Sequence, residues 1–128
     1  MARPYPDAHR FKFGDTREIC DWITGLAMEG KKTGTCWPYR EAQNGEPMVK
    51  VGGISVYTDW DGNDLFAIEY TKIEIHRFDE IPEDFALSEG EGDYENWRKG
   101  HVDWLERCGG WSPDMEMVCE NFRVIEWF

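Results

Sequence analysis

Gly30-Lys31-Lys32-Thr33-Gly34-Thr35 marks the point where a helix gives way to a strand, and its reading decides the fold. Upstream, Asp15 has N-cap chemistry and Glu18 follows three residues later, a capping-box-like pair. Ile19, Trp22, Ile23, Leu26 and Ala27 then recur at helical spacing, so one face of this segment is apolar. Gly30 suits the left-handed residue that ends such a helix. The chain is therefore expected to turn at Gly30-Lys31-Lys32 and enter a strand near Thr33 to Trp37. A helix stop followed by a strand accounts for these residues without any function. Lysine is favoured at a helix C-terminus by the macrodipole, and threonine in strands. Nor is this a phosphate-binding loop, because the glycine ends a helix rather than opening one.

Downstream, Tyr39 to Gly52 is rich in Gly, Pro, Asn and charge and reads as a long loop over one end of the fold. Ile54 to Asp59 reads as a strand, Asp61-Gly62-Asn63 as a turn, and Leu65 to Phe78 as a long returning strand, together a hairpin. Ile81-Pro82 opens a short helix through Leu87, followed by the acidic, glycine-broken Ser88-Glu89-Gly90-Glu91-Gly92-Asp93. Tyr94, Trp97, His101, Trp104, Leu105 and Cys108 fall at helical spacing, which predicts a helix over about 93–107 stopped by Gly109-Gly110. Val118, Phe122 and Val124 are read as alternating against Glu120, Arg123 and Glu126, a closing strand from Val118 to Phe128. Helix, strand, hairpin, two helices and strand suit an α+β fold: a small mixed barrel with helices packed at its ends. Residues 1–10 read as an N-terminal arm and 11–128 as a single domain.

A chain of 128 residues, 41% hydrophobic and 15% aromatic, is long enough to bury one core. No apolar run approaches the ~20 residues that span a bilayer, and Met1 to Asp7 lacks the apolar segment of a signal peptide. A cytoplasmic protein with no membrane partner is expected. Cys20, Cys36, Cys108 and Cys119 form no close pair, and His9, His76 and His101 are scattered, so no metal site and no cofactor are expected. Fourteen basic residues stand against 26 acidic ones, a net charge of −12, which disfavours a long nucleic acid but leaves room for a single nucleoside.

Two glycines bracket Glu91, a pattern that lets backbone and carboxylate approach another element closely. Trp22, Trp97 and Trp104 read as core residues. Trp37, Tyr39 and Trp60 fall near loops and are better placed to stack on a planar ligand.

The pattern Gly30, Lys32, Thr35 directly after an amphipathic helix resembles the signature of the ASCH domain family. So does Phe85-Ala86-Leu87-Ser88-Glu89-Gly90-Glu91-Gly92-Asp93 with Trp97-Arg98 and His101, and Pro113-Asp114-Met115 through Val118-Cys119-Glu120 and Phe122, both as in longer bacterial members. The resemblance implies a PUA-like barrel with a pocket between barrel and helices. It also implies an RNA-related function, or the activity of small bacterial relatives that hydrolyse N4-acetylcytidine with a lysine, a threonine and a glutamate. On this chain those roles fall to Lys32, Thr35 and Glu91, with Glu89 a close second for the carboxylate. Glu89, Trp37, Tyr39, Lys31 and Arg40 are the expected substrate contacts. Where the small hydrolases carry an arginine two residues after the threonine, this chain has Trp37.

A threonine hydroxyl needs a base. Lysine can serve only when neutral, which asks for about 4–5 kcal/mol of differential environment. A glutamate touching Lys32 would oppose that, so Glu91 is expected to hold the substrate's amide or cytosine edge, or to activate the deacylating water. The expected partner is a nucleoside or base. The alternatives are an RNA or modified-nucleotide module with Lys31, Lys32, Arg40 and Lys50 as a basic rim, or a ribonuclease using the same pocket. The sequence leaves the oligomeric state open.

Overall fold

The computed structural model describes residues 3–128; positions 1 and 2 of the expected arm lie outside the described residues. Helix α1 (Arg17–Met28) follows strand β1 (His9–Phe11) and is capped by Thr16, whose hydroxyl accepts from the Ile19 amide at 3.2 Å. The expected cap, Asp15, is instead engaged by Arg107, with both carboxylate oxygens 3.1 Å from guanidinium nitrogens. Gly30 ends the helix at φ +78°, and the amides of Lys31 and Lys32 both turn back to the Leu26 carbonyl, at 2.9 and 3.2 Å. Strand β2 (Gly34–Pro38) begins only after this turn.

The stretch expected as one long loop opens with a short helix, α2 (Tyr39–Gln43), which Pro38 introduces with its fixed φ. Strands β3 (Ile54–Thr58) and β4 (Asp64–Arg77) form the hairpin. A 3-10 turn at Phe78–Glu80 leads to α3 (Glu83–Ser88), and α4 (Tyr94–Arg107) starts from an Asp93 side chain that accepts from the Asn96 amide. Strand β5 (Glu116–Trp127) closes the chain.

The five strands lie in the order β1-β3-β4-β5-β2, parallel only between β1 and β3. Register shifts near Tyr57, Ala67 and Tyr70 mark irregularities of the kind that bend strands, and the sheet curls into a PUA-like half-barrel. β1 was not expected: it begins at His9, within the predicted arm, and three residues carry no readable alternation.

Two apolar clusters divide the interior. Phe13, Ala27, Tyr57, Phe66, Ile68, Tyr70 and Phe122 fill the concave side beneath α1. Cys36, Phe78, Phe85, Trp97, Leu105, Met117 and Cys119 join the opposite face to α3 and α4. Trp97 is fully buried here, and truncating it to alanine is worth roughly 3–5 kcal/mol. Trp22 departs from its expected core role: it is 53% exposed.

Candidate active site

The turn between Gly30 and β2 decides the geometry. On one strand, residues three apart point to opposite faces. Lys32 lies before β2 begins, so its side chain escapes that alternation and lines the same cavity as Thr35. The 89–91 segment packs directly on this turn. Gly90 sits at φ +77°, and a Cβ there would fall 2.6 Å from the Lys31 carbonyl oxygen, so glycine is what permits the approach. The Thr33 amide completes the join by donating to the Ser88 carbonyl at 2.7 Å.

Glu89 is the carboxylate brought to Lys32. Their Nζ–Oε1 distance is 3.0 Å and each side chain is 2% exposed. The second Glu89 oxygen accepts from the Trp97 indole at 2.7 Å and lies 3.3 Å from His101 Nε2. His101 stacks on Trp97 and is fixed through Nδ1, 2.9 Å from the Trp97 carbonyl oxygen. Burial opposes ionisation of Glu89, but the Lys32 ammonium and then His101 and Trp97 outweigh it, holding the carboxyl far below the usual range. Burial likewise disfavours a charged His101, yet the Glu89 carboxylate holds that imidazole above its ordinary pKa. Glu91 does not contact Lys32; it lies 3.8 Å from His101, with its carboxyl raised by burial first and by Glu89.

These groups line a cavity of about 520 Å³ between the concave sheet and helices α1 and α4, within the usual size for a small-molecule site. Aromatic rings dominate its walls, among them Phe13, Trp22, Trp37, Tyr57 and Trp104, with Phe13 and Tyr57 stacked at 4.2 Å. Around them, acidic Asp15, Glu41, Glu46, Glu91, Asp103 and Glu120 outnumber basic Lys12 and Arg107. The Asp15–Arg107 pair ties the start of α1 to the end of α4.

Of the expected substrate contacts, Trp37 and Glu89 line this cavity. Tyr39 and Arg40 border a smaller depression instead, and Arg40 donates to the Cys108 carbonyl at 3.0 Å. Lys31 points to solvent beside Glu29, 3.1 Å away. Trp60 lies at the β3–β4 turn under Lys12. Of the alternative basic rim of Lys31, Lys32, Arg40 and Lys50, Lys32 alone lines the cavity among the described residues. Cys36, Glu89 and His101 place ligand-type atoms within 4.8 Å of one another. A cation there would have to compete with the Lys32 ammonium and with a Cys36 thiol that burial holds protonated.

Two residues outside the expected set join the site. His101 sits one helical turn after Trp97, where that spacing allows it to share the helix face turned to the sheet. Glu120 is 4% exposed and accepts from the Trp37 indole at 3.0 Å. The expected alternation had set Glu120 against Val118 and Phe122. In fact all three share a strand face by parity, and an acid in an apolar row was the signal available.

A curled sheet holding an aromatic-walled cavity, with a buried lysine–glutamate pair on a helix–strand turn, defines a domain of the PUA-like class. The chain belongs to the ASCH domain family, whose model matches residues 9–126. It is similar to the ASCH domain of Lactobacillus crispatus JV V101, with 28% identity and a TM-score of 0.81 over 98% of this chain and 87% of that one. A protein of Enterococcus faecalis V583 is similar at 25% identity and a TM-score of 0.82, covering 94% and 82% of the two chains. A further hypothetical protein, 18% identical with a TM-score of 0.57 over 82% of this chain and 92% of its own, shares the fold alone. No curated protein matches the chain. Among the described residues, no helix is long and apolar enough to cross a membrane.

Proposed function

We propose that the protein is an amidohydrolase that cleaves the exocyclic amide of N4-acylated cytidine or cytosine derivatives. The observation that carries this reading is the buried Lys32–Glu89 pair facing the same aromatic cavity as Thr35. Lys32 is held by its ion pair with Glu89, so the lysine is placed as a donor to the amide oxygen rather than as the base. One Nζ hydrogen is used on Glu89, leaving others for an oxyanion. Thr35 has no hydrogen bond to its hydroxyl among the described residues, and its side chain is free to attack a carbonyl carbon. Glu91, nearer the opening, is suited to the cytosine edge.

The walls support a neutral planar ligand. Aromatic faces accept a pyrimidine by stacking, whereas the acidic surround is unfavourable to a phosphodiester track. This ranks the hydrolase above an RNA-binding module or a ribonuclease. The test is loss of acylcytidine absorbance on mixing N4-acetylcytidine with wild type, Lys32→Ala and Thr35→Ala. Turnover by wild type that both variants lose supports the reading. An inert wild type that retains RNA in a salt-sensitive way sinks it.

A further inference from the structure

The lysine–glutamate pair leaves the reaction without a base. Glu89 is committed to Lys32, Trp97 and His101, and Lys32 is committed to Glu89. Glu120 is differently placed. It is the Cα partner of Thr35 across the β2–β5 ladder, so the two side chains project from the same face with Cβ atoms about 4.5–5.5 Å apart. Both line the cavity. Glu120 is buried, and no cation lies within ion-pair distance of it among the described residues. Its single protein hydrogen bond there comes from Trp37, on the same strand and the same face as Thr35.

Resting on the hydrolase reading, we infer that Glu120 is the catalytic base and acid that serves Thr35. The Thr35 hydroxyl proton passes to the Glu120 carboxylate as Oγ bonds the amide carbon, and the carbonyl electron pair moves onto oxygen beside Lys32. Collapse of this adduct breaks the C–N bond, and the Glu120 proton goes to the departing exocyclic nitrogen, releasing cytidine. Water then gives a proton to Glu120 as its oxygen attacks the threonyl ester. Breaking that ester returns the proton to Thr35 Oγ and frees the carboxylic acid.

The surroundings suit a group that exchanges protons near neutrality. Burial pushes the Glu120 carboxyl up to about 7, and the Trp37 bond offsets this only in part. Tyr57 on β3 and Tyr70 on β4 both feel the Glu120 charge, but burial first raises both phenols, so neither competes for the proton. Cys119, its neighbour in sequence, packs on the opposite face of the strand with a thiol raised by burial. Trp37 offers this carboxyl a neutral indole N–H rather than a fixed positive charge.

The experiment is the pH profile of kcat/KM on N4-acetylcytidine, from about pH 5 to about pH 9, for wild type, Glu120→Gln, Glu120→Asp and Trp37→Phe. Thermal melts confirm that each variant is folded. Wild type is expected to show an acid limb with its midpoint near 7, where Glu120 gains its proton. Glu120→Gln keeps the shape and the Trp37 contact but should lose about 100-fold or more in rate, together with the limb. Glu120→Asp should retain the limb, and Trp37→Phe should move it to higher pH. A Glu120→Gln enzyme with wild-type rate, or a slower one whose limb is intact, overturns the inference while leaving the hydrolase reading in place. An inert wild type overturns both.

Discussion

Removing the charge from either member of the buried pair is the most informative perturbation of the fold. Lys32→Met keeps the aliphatic stem but leaves the Glu89 carboxylate in the interior with only Trp97 and His101. Glu89→Gln leaves an ammonium among Phe13, Trp97 and the cavity wall. Each side chain is 2% exposed, so solvent screening is minimal and each single change should cost about 3–5 kcal/mol. For a chain of 128 residues this corresponds to roughly 10–20 °C in melting temperature. The double variant removes both charges, and its cost should fall short of the sum of the singles by about 2 kcal/mol or more. Urea unfolding followed by tryptophan fluorescence measures all four proteins. The pH dependence has a definite sign. Glu89 is held below its unfolded pKa, so its contribution is present above the ordinary carboxylate value and fades as pH falls below it. The gap between wild type and Glu89→Gln must therefore narrow in acid. Single variants that cost under about 1 kcal/mol and add without coupling would refute the buried-pair account.

Other consequences are equally direct. Gly90→Ala places a Cβ 2.6 Å from the Lys31 carbonyl oxygen at φ +77°, and should cost more than Gly62→Ala, whose left-handed site opens on free space. The backbone term common to both is about 1–3 kcal/mol, so the excess measures the clash in urea melts, and activity should fall in Gly90→Ala alone. Glu120 is raised in the folded state, so its contribution is full below the unfolded carboxylate pKa and is lost as pH rises toward about 7. Glu120→Gln should remove a loss of about 3 kcal/mol between acid and alkaline pH, visible as a flatter stability profile. Adding a 5′-phosphate to the substrate brings a dianion to an acidic rim, and KM should rise by roughly tenfold, less at high salt.

Much of the fold could be read directly from residue spacing. The Ile19–Ala27 periodicity, the Gly30 stop and the Asp61-Gly62-Asn63 turn locate α1, the turn to β2 and the hairpin, because each is a local signal. What escaped was set by tertiary partners. Thr16 caps α1 because Asp15 is drawn to Arg107, ninety-two residues away in sequence. β1 exists because β3 offers an edge to pair with, and α2 is a five-residue helix too short for a periodic pattern. At the site, Lys32 and Thr35 were readable from their motif, and the glycines around Glu91 announced a close approach. Which glutamate would meet Lys32 was not readable, since the choice depends on how the Ser88–Gly90 turn seats against Lys31. Glu120 was missed through a slip of parity rather than for want of a signal.

The central claim is that Thr35 attacks an N4-acyl amide held in the aromatic cavity. It is tested most directly by chromatographic release of cytidine from N4-acetylcytidine by wild type, Thr35→Ser and Thr35→Ala. The account predicts cytidine and acetate in equal amounts from wild type, slower release by Thr35→Ser, and loss of release by about 1,000-fold or more in Thr35→Ala. Undiminished cytidine release by folded Thr35→Ala, or none by wild type, would contradict it.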